Sequence, residues 1–114
     1  MRPASPAKIA TEAAPYLAAL GNAKRLSIMF HLDGCEMPVG TIAERVGLSQ
    51  SALSQHLARL RDLGLVETRR DRQMIYYSCA PGLPAELLQA VLSVFAREAT
   101  EDRTGEMIPE MAPE

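Results

Sequence analysis

One run of the chain is dense in hydrogen-bonding chemistry. Ser49-Gln50-Ser51-Ala52-Leu53-Ser54-Gln55-His56-Leu57 sets hydroxyl, amide and imidazole groups among small residues and leucines. Such side chains can donate to and accept from base edges or phosphates without filling a DNA groove. Gln50 and Gln55 are the strongest base readers, because a side-chain amide makes paired bonds to adenine. Ser51 and Ser54 suit bases or phosphates, whereas Arg59 and Arg61, further along, suit the backbone. Arg69, Arg70, Arg72 and Gln73 form a second group able to reach phosphates or a neighbouring minor groove. Each feature alone has a plainer reading: Ser49 as a helix cap, the arginines as a solvated face, His56 as a packed or phosphate-bonding histidine rather than a metal ligand. Their occurrence together, in this order, favours a surface that binds double-stranded DNA.

A net charge of −2 over 114 residues looks wrong for such a surface until it is divided along the chain. From Glu98 onward six acids face only Arg103, a balance of −5, so the rest of the chain carries +3. Between Arg45 and Gln73 six arginines face three acids, again +3. Positive charge is concentrated where a phosphate backbone could use it.

These groups need elements to hold them. Leu53, Leu57 and Leu60 recur at spacings of four and three, which predicts a helix from Ser49 to Leu63-Gly64 with a buried stripe and an opposite polar face. Val39, Ile42, Ala43 and Val46 predict a helix before it, stopped by Gly47. Leu65–Arg70 and Gln73–Ser78 are strand-like, joined by a tight link at Asp71-Arg72. Upstream, Pro15, Leu17 and Leu20 predict a first helix ending at Gly21, where glycine would accept a left-handed conformation. Asn22 then caps a second helix carrying Leu26, Ile28, Met29 and Leu32 and ending at Asp33-Gly34, with a very short extended stretch at Glu36–Pro38. A last helix, Pro84 to about Ala99, repeats Leu87, Leu88, Val91, Leu92 and Phe95, more apolar surface than so small a monomer covers, so a homodimer is expected. The fold class is mainly α with a small β-hairpin wing, a winged helix-turn-helix dimerising through its first and last helices. It occupies residues 7–99, between a disordered N-terminus at 1–6 and an acidic disordered tail at 100–114.

Several function classes are excluded. A chain of 114 residues with 47% hydrophobic content fits one domain. It has no signal-peptide pattern and no apolar run near the roughly 20 residues that cross a bilayer, so a cytoplasmic location and no membrane partner are expected. Neither cysteine adjoins a histidine, no glycine-rich phosphate loop or paired acidic motif is present, and His31 falls in a packed helix, so neither an enzyme nor a cofactor is expected. A purely protein-binding winged helix is disfavoured by the arginine wing and the Gln/Ser face. Cys35 and Cys79 leave two readings open. In a winged helix the strand before the third helix pairs antiparallel with the second hairpin strand, which would bring the two cysteines to facing ends as a possible redox pair. The plainer reading, two unrelated thiols of a reduced cytoplasmic protein, is preferred, because a slip of one residue turns the side chains to opposite faces.

The run Val39-Gly40, Ala43, Val46 through Leu57, then Leu60-Arg61, Gly64-Leu65-Val66, Thr68-Arg69-Arg70 and Ile75-Tyr76-Tyr77-Ser78, resembles the ArsR/SmtB family of winged-helix repressors, and within it the NolR/HlyU-like branch. The resemblance spans roughly Leu17 to Val94 and is most specific over LSQSALSQHL. It implies a dimer joined by the first and last helices and bound to a pseudo-palindromic promoter site. Arsenic and cadmium sensors of the family open the helix before the recognition helix with Cys-Val-Cys; Pro38, Val39 and Gly40 stand there in this chain. Zinc sensors use histidines and acids on the last helix, which here holds no histidine and only Glu86 and Glu98. Persulfide sensors place a cysteine late in the second helix, at the position of Phe30. The resemblance thus implies a regulator without the family's metal sites or that thiol switch, and the small-molecule effector is left open.

Overall fold

A computed structural model describes residues 4–102. The expected disorder at residues 1–3 and 103–114 lies outside them. The first helix, α1 (Pro6–Leu20), starts where Ser5 Oγ accepts from the Lys8 amide at 3.2 Å and Pro6 takes the first helical turn. Ser5 and Pro6, assigned to the disordered N-terminus from sequence, therefore belong to the helix start, and at the other end of the chain the last helix runs three residues beyond Ala99. Gly21 ends α1, but not in the left-handed conformation expected of it, since its φ is −80°. A β-carbon there would lie 3.1 Å from the Leu17 carbonyl oxygen, a tight contact. The second helix, α2 (Ala23–Leu32), is capped by Asn22, whose Oδ1 accepts from the Arg25 amide at 3.0 Å.

After the two-residue strand β1 (Met37–Pro38) come α3 (Val39–Val46) and α4 (Gln50–Asp62), then a hairpin of β2 (Val66–Asp71) and β3 (Met74–Cys79), and finally α5 (Leu83–Asp102). The sheet order is β1-β3-β2, all antiparallel, with Met37 opposite Tyr77 and Thr68 opposite Tyr77 on the other side. Two details differ from expectation. Leu65 precedes the strand and is wholly buried, so the ladder starts at Val66. The hairpin tip is Arg72-Gln73 rather than Asp71-Arg72, because Asp71 still opposes Met74 and Arg72 supplies the positive φ, 62°, that a two-residue hairpin loop demands.

The core gathers Ile28, Met29 and Leu32 from α2, Ile42 from α3, Leu53, Leu57 and Leu60 from α4, Leu65, and Leu88 from α5. Each helix contributes one apolar stripe, so the polar faces of α3 and α4 are left outward. Leu88 is fully buried on α5, whereas Leu92 and Phe95 are 43% and 58% exposed.

Candidate nucleic-acid interface

The turn between α3 and α4 is built from backbone chemistry. Gly47 adopts the left-handed conformation with φ 70°, and the amides of Gly47 and Leu48 both donate to the Ala43 carbonyl, at 2.9 and 3.1 Å. Lys24 Nζ donates to the Val46 carbonyl at 2.8 Å, closing the end of α3 from α2. Ser49 then caps α4, accepting from the Ala52 amide at 3.1 Å. Its hydroxyl oxygen thus caps the helix, as the plainer reading had it, and its O–H remains able to donate. With Leu53, Leu57 and Leu60 turned inward, Ser51, Gln55 and Arg59 form one exposed ridge at four-residue spacing, and Gln50 and Ser54 lie beside it. Gln50 borders an open cleft with Thr41, Leu48 and Met74, between α3 and the wing. Arg61 is exposed in the last turn of α4, where a cation also suits the helix dipole.

His56 is set apart from these residues. It is half-buried, with Nδ1 3.4 Å from Arg25 Nη1, while Arg25 Nε donates to the Ala19 carbonyl at 2.7 Å. Burial first, then the charge of Arg25, pushes the imidazole pKa down, so near neutral pH the ring is uncharged. His56 thus joins α4 to Arg25 and the end of α1, rather than facing outward with the serines and glutamines.

The wing arginines also divide. Arg69 Nε donates to both carboxylate oxygens of Glu36, at 2.9 and 3.1 Å, and its guanidinium lies 4.8 Å from the centre of the Tyr76 ring. These hydrogen bonds hold the Glu36 carboxyl below its ordinary range and raise that of Arg69. Arg70, Arg72 and Gln73 are exposed, and among the described residues neither Arg70 nor Arg72 has a hydrogen-bond or ion-pair partner. Lys24, Arg25 and Glu36 were not singled out from sequence. Their partners are backbone carbonyls or residues tens of positions away, and the sequence signals only that such polar residues are present.

Cys35 is an exposed free thiol and Cys79 a half-buried one. Burial first, then Asp33 and Glu67, pushes the Cys79 thiol pKa up. Among the described residues no three His, Cys, Asp or Glu side chains cluster in a way that could hold a metal ion, and no helix is long and apolar enough to cross a membrane.

This arrangement has known counterparts. Residues 22–68, from the cap of α2 through α4 into the wing, match the model of the bacterial regulatory protein, arsR family. Nodulation protein NolR of Rhizobium meliloti is 46% identical over 107 residues, 90% of this chain and 88% of that protein. The chain belongs to the ArsR family. Transcriptional activator HlyU of Vibrio cholerae is 46% identical over 71 residues, 62% of this chain and 66% of that one, which agrees with the NolR/HlyU-like branch. Among solved structures, a homodimeric winged helix-turn-helix DNA-binding domain from Mycobacterium bovis aligns with TM-score 0.72 and 32% identity, covering 93% of this chain and 99% of that one. This ArsR-family chain is accordingly a winged helix-turn-helix DNA-binding transcriptional regulator, in a family of regulators rather than of enzymes.

Proposed function

We propose that the protein is a homodimeric repressor that reads a pseudo-palindromic operator with α4 of each protomer, two major-groove faces roughly 34 Å apart. The observation that carries this reading is the two-sided character of α4: Leu53, Leu57 and Leu60 anchor it while Gln50, Ser51, Ser54, Gln55 and Arg59 stand free on the outer face. Dimerisation is supported by exposed Ile9 and Leu17 on α1 and Leu92, Val94 and Phe95 on α5. A radius of gyration of 16.0 Å, against about 13 Å for a compact domain of this length, also fits helices that extend toward a partner. A dimer seated on a promoter would repress by excluding polymerase.

Gel-shift titrations of variants test the assignment of readers and holders. Gln50→Ala or Gln55→Ala weakens operator binding by about 1–3 kcal/mol and relaxes sequence preference. Arg70→Ala weakens all sequences alike and lowers the salt slope by about one. Changed specificity in Arg70→Ala, with both glutamine variants binding normally, would invert the assignment.

A second reading, thiol-redox control of that repressor, is favoured by the register of β1 on β3. Met37 faces Tyr77 and Pro38 faces Tyr76; the pairing ends at Met37, and the same register carried two residues further would bring Cys35 opposite Cys79. Facing residues in such a ladder have α-carbons about 4.5–5.5 Å apart, within disulfide range. Two thiols and a hydroperoxide would give the disulfide, an alcohol and water. Two free thiols after mild peroxide treatment, or unchanged operator affinity in the disulfide form, would remove the switch.

A further inference from the structure

Arg69 does not reach toward the wing tip. It springs from β2 opposite Tyr76 on the central strand, which in turn faces Pro38 on β1. Its guanidinium passes over the Tyr76 ring and is held by Glu36, the residue just before β1. Glu36 lies on the base side of Pro38, whereas the Arg72-Gln73 tip lies on the other side of the Arg69–Tyr76 pair. The side chain therefore spans all three strands and points away from the tip. A planar guanidinium held by two carboxylate oxygens and stacked on a ring has a fixed orientation, unlike a single-point surface ion pair. At its outer end the strand pairing of the hairpin is its own ladder, because β1 pairs with β3 only at Tyr76 and Tyr77. Arg70, next to Arg69, points to the opposite face of β2, and Arg72 sits at the tip.

We propose that Glu36 is a positioning residue for DNA binding: through Arg69 and Tyr76 it fixes the hairpin against β1 so that Arg70 and Arg72 meet the phosphate backbone. Arg69, grouped with the DNA contacts from sequence, is on this account a strut. The inference rests on the wing contacting DNA as proposed above, and the experiment separates the two.

Operator affinity and its salt slope are measured for Glu36→Gln, Arg69→Ala, the double variant and Arg70→Ala, with thermal unfolding of each as a check on the fold. Glu36→Gln raises the operator Kd roughly threefold or more with an unchanged salt slope, and the double variant is no worse than Arg69→Ala alone, because both break one contact. Arg70→Ala lowers the slope by about one. Combined with Glu36→Gln, Arg70→Ala has a smaller effect than in the wild type, a coupling that mere loss of stability does not produce. Tighter binding and a steeper slope in Glu36→Gln would instead make Arg69 a phosphate contact masked by Glu36, overturning the proposal. Unchanged affinity in Glu36→Gln with a normal Arg70→Ala effect overturns the positioning role alone; no effect of Arg70→Ala removes the wing contact and the positioning role together.

Discussion

Replacing Leu53 with alanine will destabilise the fold by about 2–5 kcal/mol. Leu53 is fully buried, one helical turn into α4, in the cluster that includes Ile42, Val46 and Leu57. Truncation removes its transfer free energy and leaves a cavity that the neighbouring helices only partly collapse into. A small domain has about 5–15 kcal/mol in total, and at this size each kcal/mol lowers Tm by roughly 4–8 °C, so the change is large in thermal unfolding. Leu53→Met, close in volume, should remain within about 1.5 kcal/mol of wild type. Because a dimer's stability depends on concentration, all variants are compared at one protein concentration. A loss under about 1 kcal/mol for Leu53→Ala would mean that α4 is not anchored by this stripe.

The second large effect is expected on α5. Phe95→Asp or Leu92→Asp should weaken dimerisation by at least about 2 kcal/mol, some thirtyfold in dissociation constant, as for a buried interface anchor. Both side chains are exposed in the isolated chain, so the substitution leaves the protomer core intact. A charge in a covered apolar seam would be desolvated without a partner. Sedimentation at micromolar concentration should show a dimer for the wild type and a monomer for the variants, with operator binding weakened in parallel. A wild-type monomer that binds its operator at full affinity would defeat the dimer.

The elements that position the site were legible because their signals are local. The Leu53-Leu57-Leu60 stripe, the Asn22 and Ser49 caps and the Gly47 stop each act within one or two helical turns, and each reappears in the fold. What was not legible depends on contacts between distant segments. The hairpin tip moved by one residue because Asp71, Arg72 and Gln73 are all polar and the left-handed position is taken by an arginine rather than by glycine. Gly21 was given a conformational reason, the left-handed state, whereas its φ of −80° is one that any residue adopts. Arg69 looked equivalent to Arg70 in sequence; only the strand order β1-β3-β2 reveals that Glu36, 33 residues earlier, is within its reach. His56 likewise looked like one more polar residue on α4, until Arg25 was found against it.

The central claim, that α4 and the wing read a specific DNA site, is tested most directly by titrating the wild-type protein against the DNA upstream of its own gene and a scrambled duplex of the same length and composition, at several salt concentrations. Affinity for both duplexes should fall with salt, as phosphate contacts by Arg59, Arg61, Arg70 and Arg72 require. The upstream duplex should bind about a thousandfold tighter or more at physiological salt. Equal binding of the two duplexes at every salt concentration, or no binding to either, would contradict the account.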